Sequence, residues 1–135
     1  NKPMIKYLLI LLFLTPIQAF AGKYANQANE NPFHNGELNA KYEGEATALG
    51  GTVLEHITVN NNNLYLLDLK TPSINNIWVT SFVKAQGKEV VEVGDNVIFK
   101  GYISTASSLD ETEELENSIQ SKTLLMAIYA LNKGK

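Results

Sequence analysis

Neither cysteine nor arginine occurs in this 135-residue chain, and each absence removes function classes before any motif is sought. Without cysteine there is no disulfide, no lipobox for an N-terminal lipid anchor, no thiolate metal site, no haem attachment motif and no cysteine nucleophile. A folded core must then hold by packing and strand pairing. Without arginine the chain lacks the planar donor fork that grips phosphates and guanine edges bidentately. Histidine is limited to His34 and His56, and Trp78 is the single tryptophan.

Positive charge is the other scarcity. All 11 basic residues are lysines, set against 14 acidic residues. Two of them, Lys2 and Lys6, lie in an N-terminal segment read below as removable, so the remainder carries nine lysines against 14 acids, a net charge of −5. A duplex-binding protein normally shows the opposite balance, so the expectation is that nucleic acid is not the main partner.

What is present begins with Lys2 and Lys6 ahead of the apolar run Tyr7–Leu14, then Pro16 and Ala19-Phe20-Ala21-Gly22. Positive, apolar and small-residue regions in that order are the parts of a secretory signal peptide, 1–21, with Ala19 and Ala21 at the −3 and −1 positions of the cleavage site. The apolar run is far shorter than the ~20 residues a bilayer-spanning helix needs, which leaves no membrane anchor after cleavage. If translation starts at Met4, Lys6 alone supplies the leading charge. The expected address is the periplasm.

Residues 22–48 are rich in Asn, Gln, Glu and Gly and show no sustained period, so they read as a flexible leader with Tyr24, Phe33 and Tyr42 as docking aromatics. From 49 to 135 the pattern is that of strands. Thr52–Val59 is rich in β-branched residues and bounded by turn formers, Gly50-Gly51 before it and Asn60 to Asn63 behind it. In Leu64–Thr71, Tyr65, Leu67 and Leu69 fall on one face and Asp68 and Lys70 on the other, and Ile77–Phe82 follows the break at Pro72. Asn96–Ile103 is a fourth strand, with Gly101 where a bend or bulge needs room. Ser107–Gln120 is acidic, with Leu115 and Ile119 four apart as on one face of a short helix, or else a loop; Thr123–Leu131 reads as a fifth strand, although its periodicity fits a helix too. Five strands with one non-strand interruption point to an all-β, five-stranded Greek-key barrel of the OB (oligonucleotide/oligosaccharide-binding) type. The helix usual between strands three and four is weak here, since Gly87 interrupts Val83–Val91.

Taken in order, Gly51-Thr52-Val53-Leu54-Glu55, Tyr65–Thr71, Ile77-Trp78-Val79, Val93–Val97 and Ser121-Lys122-Thr123-Leu124 resemble a group of small exported bacterial OB-fold proteins. Its members carry the labels nitrite-reductase accessory protein or DNA-binding protein. The resemblance spans roughly Gly50 to Leu131 and implies an OB barrel serving an exported redox system. Here an acidic insertion, Leu109–Asn117, stands where the group has a short loop, and Ile119 stands near its aromatic position.

No nucleophile–base pair, no metal-ligand spacing and no cofactor motif is visible, so the chain reads as non-enzymatic and without cofactor or metal. Asp110–Glu116 lacks the alternating oxygens and central glycine of an EF-hand loop. Binding modules of this fold present strands two and three and their flanking loops. On that basis Trp78 and Lys70, near Leu66, are the candidate ligand-binding residues, with Lys122 reaching them from the start of strand five. The expected partner is a protein or small ligand in the periplasm; single-stranded nucleic acid or an anionic glycan on the barrel face is the alternative.

Overall fold

A computed structural model of the chain describes residues 32–135. The signal segment with its Ala19 and Ala21, and the leader up to Asn31, lie outside the described residues.

Strand β3, Ala46–Val59, organises the domain because it serves two neighbours in succession. Its first half pairs antiparallel with β7, Asn96–Thr105, from Ala46↔Tyr102 to Thr52↔Asn96. Its second half pairs with β4, Asn62–Asp68, from Thr52↔Asp68 to Val59↔Asn62, with a register shift at Leu54. Where the partners change, the strand must come close to β4, and a Cβ on Gly51 would lie 2.0 Å from the Asp68 carbonyl oxygen. Gly50-Gly51 is therefore the bend inside a long strand and not the turn before a short one.

Asn60 and Asn61, both with positive φ (50° and 68°), connect β3 to β4. Two left-handed residues give the turn twist that a tight hairpin needs, and asparagine tolerates that region better than most residues. Strand β5, Ile77–Ser81, pairs antiparallel with β4, and β8, Thr123–Asn132, pairs antiparallel with β7 and parallel with β5 through Val79↔Leu125. That last pairing closes the order β5-β4-β3-β7-β8 into a five-stranded OB barrel. The segment Thr123–Leu131 is thus a strand, and Gly101 sits at a β7–β8 register shift where a Cβ would lie 2.0 Å from the Met126 carbonyl oxygen.

Inside the barrel Val53, Tyr65, Leu67, Val79, Phe99, Leu125 and Ala127 form one apolar core. Phe33 and Leu38 join it, exposed by only 1% and 3%. They come from a hairpin of β1, Phe33–His34, and β2, Glu37–Leu38, turned by Asn35-Gly36 with φ of 51° and 83°. The hairpin is tied to the body where the Asn75 N–H donates to the Gly36 carbonyl at 2.8 Å, and after a 3-10 turn, Ala40–Tyr42, Gly44 N–H donates to Ile103 at 2.8 Å. The flexible leader expected over 22–48 is corrected for 32–48: this stretch is ordered, and the expected boundary at 49 falls inside β3. Two-residue strands leave no period to detect, so burial of Phe33 and Leu38 decides the matter.

No helix lies between β5 and β7; that connection carries only β6, Gln86–Gly87. Its loop instead wraps a buried carboxylate. Asp95, whose side chain is fully covered, accepts from Lys88 Nζ at 2.9 Å on both oxygens, from Asn132 Nδ2 at 3.0 Å and from the Glu92 N–H at 2.9 Å. The two helices of the domain, α1 (Ala106–Leu109) and α2 (Glu114–Ile119), both fall between β7 and β8.

Candidate functional site

The face an OB barrel usually offers to ligands is the exterior of its second and third strands, here β4 and β5. Alternation along these strands sends Tyr65, Leu67 and Val79 into the core, while Leu64 and Trp78 join a second apolar cluster with Val59 and Leu124. That cluster is completed by Ala106, Leu109, Leu115 and Ile119 from the α1–α2 segment. Leu64, Leu115 and Leu124 are each 0% exposed. The chain's own acidic insertion therefore covers the strand face, using the Leu115/Ile119 stripe that the four-residue spacing implies.

Polar contacts fix this cover in place. Asp110 accepts from Asn60 Nδ2 at 2.8 Å, from Thr112 Oγ1 at 2.6 Å and from the Thr112 N–H at 2.9 Å. Glu43 accepts from Ser108 Oγ at 2.7 Å and Thr105 Oγ1 at 3.2 Å. The Thr112 bonds, then that from Asn60, hold the Asp110 carboxyl below its usual value, and those from Ser108 and Thr105 do the same for Glu43.

Trp78 is consequently a half-buried packing residue opposite Leu66, with the second cluster against it. Lys70 stands in the loop after β4 with φ of 63°, its N–H donating to Asp68 Oδ1 at 2.8 Å. Lys122 stands on the residue before β8. Trp78 and Lys122 line adjoining cavities, and Lys70 lines neither of them.

The larger cavity is an open cleft of about 750 Å³ between the β1–β2 hairpin and the α2–β8 junction. Its walls include His34, Asn35 and Glu37 on one side and Glu116, Asn117 and Gln120 on the other, with Lys122 and Thr123 at the junction. A side pocket of about 80 Å³, reaching Trp78 and Asn76, shares Glu37, Gln120, Ser121 and Thr123 with it. The volume suits a small organic ligand.

Among the described residues, the side chains of Glu37, Glu116, Asn117, Gln120 and Lys122 make no hydrogen bond or ion pair, and neither does the Trp78 indole N–H. Outside the cleft the carboxylates of Glu43, Asp95 and Asp110 are each bound by several donors, whereas those of Glu45, Glu55, Glu111, Glu113 and Glu114 are solvated like the ones in the cleft. Of the histidines, His34 lies in the cleft, 3.2 Å from Asn35 Nδ2. His56 is on β3, stacked on Tyr65 at 4.7 Å and donating from Nε2 to Asn63 Oδ1 at 2.9 Å. The sequence reading missed Glu37, Glu116, Asn117 and Gln120 because the two walls are distant in the chain. The Asn35-Gly36 dipeptide was the available signal for the first wall, since it is a strong marker of a tight hairpin.

No protein-family model and no curated protein matches the chain. Among solved structures it is similar to the OBody AM3L15 bound to hen egg-white lysozyme, at 10% identity and a TM-score of 0.48, over 70% of this chain and 81% of that one.

Proposed function

We propose that this protein is an exported, non-catalytic OB-fold binding module whose ligand site is the cleft between the β1–β2 hairpin and the α2–β8 junction. The observation that carries this is the convergence of polar side chains without a partner among the described residues, those of Glu37, Glu116, Asn117, Gln120 and Lys122, on a cleft that adjoins a side pocket lined by Trp78. Solvated side chains that line a concave site and have no internal partner are available to a ligand. The exterior face of β4 and β5 is the weaker candidate, because Leu115 and Ile119 already occupy it and the acidic run Asp110–Glu116 would repel a polyanion.

The export pattern at Lys2–Ala21 and the resemblance of Gly50–Leu131 to exported OB-fold proteins support a partner outside the cytoplasm, with an exported redox system the first setting to try. Among the described residues no helix is long and apolar enough to cross a membrane. Amide NMR of the protein, titrated with the small-molecule fraction of a periplasmic extract, tests the site. Saturable shifts are expected at Glu37, Asn117, Gln120, Lys122 and the Trp78 indole; shifts confined to another surface would refute it. N-terminal sequencing of the secreted form is expected to begin at Gly22.

A further inference from the structure

We infer that the ligand of this cleft is an uncharged oligosaccharide, an assignment that rests on the cleft being the binding site. The inference comes from which hydrogen-bonding roles are vacant there. The Glu37 and Glu116 carboxylates accept, Lys122 and the Trp78 indole can only donate, and the Asn117 and Gln120 amides do both. A ligand complementary to this set must donate and accept from closely spaced atoms.

Charge narrows the class further. A polyanion brought to the cleft meets Glu37 and Glu116, and a polycation meets Lys122, so either one leaves a like charge opposed. Neutral hydroxyl groups meet neither penalty. A sugar hydroxyl donates to a carboxylate through its hydrogen while its oxygen accepts from an ammonium or an amide N–H, and neighbouring hydroxyls repeat that arrangement along a ring.

Shape selects a chain over a single sugar. The cleft is open to solvent and shares Glu37, Gln120, Ser121 and Thr123 with the side pocket at Trp78, so its residues face a ligand from two sides without enclosing it. An extended saccharide can lie between hairpin and helix in the main cleft. The site is also separate from the exterior strand face that this fold usually employs, which α1 and α2 cover.

The test uses isotope-labelled protein titrated separately with cellotetraose, maltotetraose and N-acetylated chitotetraose, and with spermine and polyphosphate as charged controls. At least one tetrasaccharide is expected to shift the Asn117, Gln120 and Trp78 indole resonances saturably. Glu37→Gln and Asn117→Ala, both at exposed positions, are expected to weaken that binding about tenfold while leaving the rest of the spectrum in place. If spermine or polyphosphate shifts the cleft resonances and the sugars do not, the saccharide assignment falls and the cleft stands as a binding site. Sugar shifts that map away from the cleft, or that both variants leave unchanged, also overturn the assignment. So does silence from all five probes, and the extract titration then decides separately whether the cleft binds anything.

Discussion

Asn60, in the turn between β3 and β4, donates from Nδ2 to Asp110 Oδ2 at 2.8 Å across 50 residues of sequence. The bond joins the tip of the longest strand to the acidic segment that lies on the outside of the barrel. Asp110 also folds its own neighbourhood by accepting from Thr112, so a single carboxylate both shapes the segment and docks it. Helices of four and six residues are too short to persist alone, so α1 and α2 depend on such ties and on the apolar cluster beneath them.

Asn60→Ala is therefore expected to loosen the cover locally while sparing the barrel. Hydrogen exchange should accelerate at Leu115 to Ile119 and leave the amides of Phe99 and Leu125 protected. Equal acceleration across β7 and β8 would mean that the segment is not a separate unit.

The apolar side of the same attachment is Leu115, which is fully buried in the second cluster with Leu64 and Leu124. Leu115→Ala removes that packing and leaves a cavity, for which about 2–4 kcal/mol of lost stability is expected. Because Trp78 packs against this cluster, its emission should move to longer wavelength in the folded variant. Denaturant titration and fluorescence report the two effects separately.

The barrel was legible in the sequence because its strands are short β-branched and apolar runs bounded by turn residues. Tyr65 and Leu67 share one face and do fill the core, Leu64 on the other face is buried as well, and the asparagine run does turn the chain at Asn60 and Asn61. Gly50-Gly51 was misread because glycine marks both a turn and a close approach inside a strand, and only the carbonyl of Asp68 tells them apart. Trp78 sits on the strand expected, yet its environment depends on a segment that arrives from beyond β7. The cleft was less legible still. Lys122 was singled out, but Glu37, Asn117 and Gln120 become neighbours only because a two-strand hairpin, turned at Asn35-Gly36, docks beside α2.

Glycine placement makes a sharper claim at Gly101. A methyl group there would lie 2.0 Å from the Met126 carbonyl oxygen, in the backbone of the paired strand, whereas a Cβ on Gly44 meets nothing within 4 Å but sits at φ of 91°. Gly101→Ala is expected to destabilise by about 3 kcal/mol or more, because two strands must separate to admit it. Gly44→Ala should lose only about 1 kcal/mol, from the left-handed backbone alone. Thermal melts of the two variants side by side check the order.

Buried charge sets the pH range over which the fold holds. Burial alone would push the Asp95 carboxyl up, but hydrogen bonds from Asn132, Lys88 and the Glu92 N–H, with the Lys88 charge, outweigh it and hold the group far below its ordinary value of 3.8. A carboxyl depressed on folding stabilises fully above its unfolded value, and that contribution is lost as pH falls through the folded value. Lys88 is shifted the other way: its bonds to Glu92 and Asp95 raise it above 10.5, so its contribution is complete below that pH and is lost as pH rises through the raised value. Within this cluster, stability should stay flat between about pH 5 and pH 9, with acid loss beginning below the usual carboxylate range. In Asp95→Asn the acid limb should be shallower and the pH 7 stability lower, since an amide cannot accept from Lys88 as an ion. Chemical denaturation at pH 2, 4 and 7 measures both, and an unchanged acid limb in Asp95→Asn would remove Asp95 as its source.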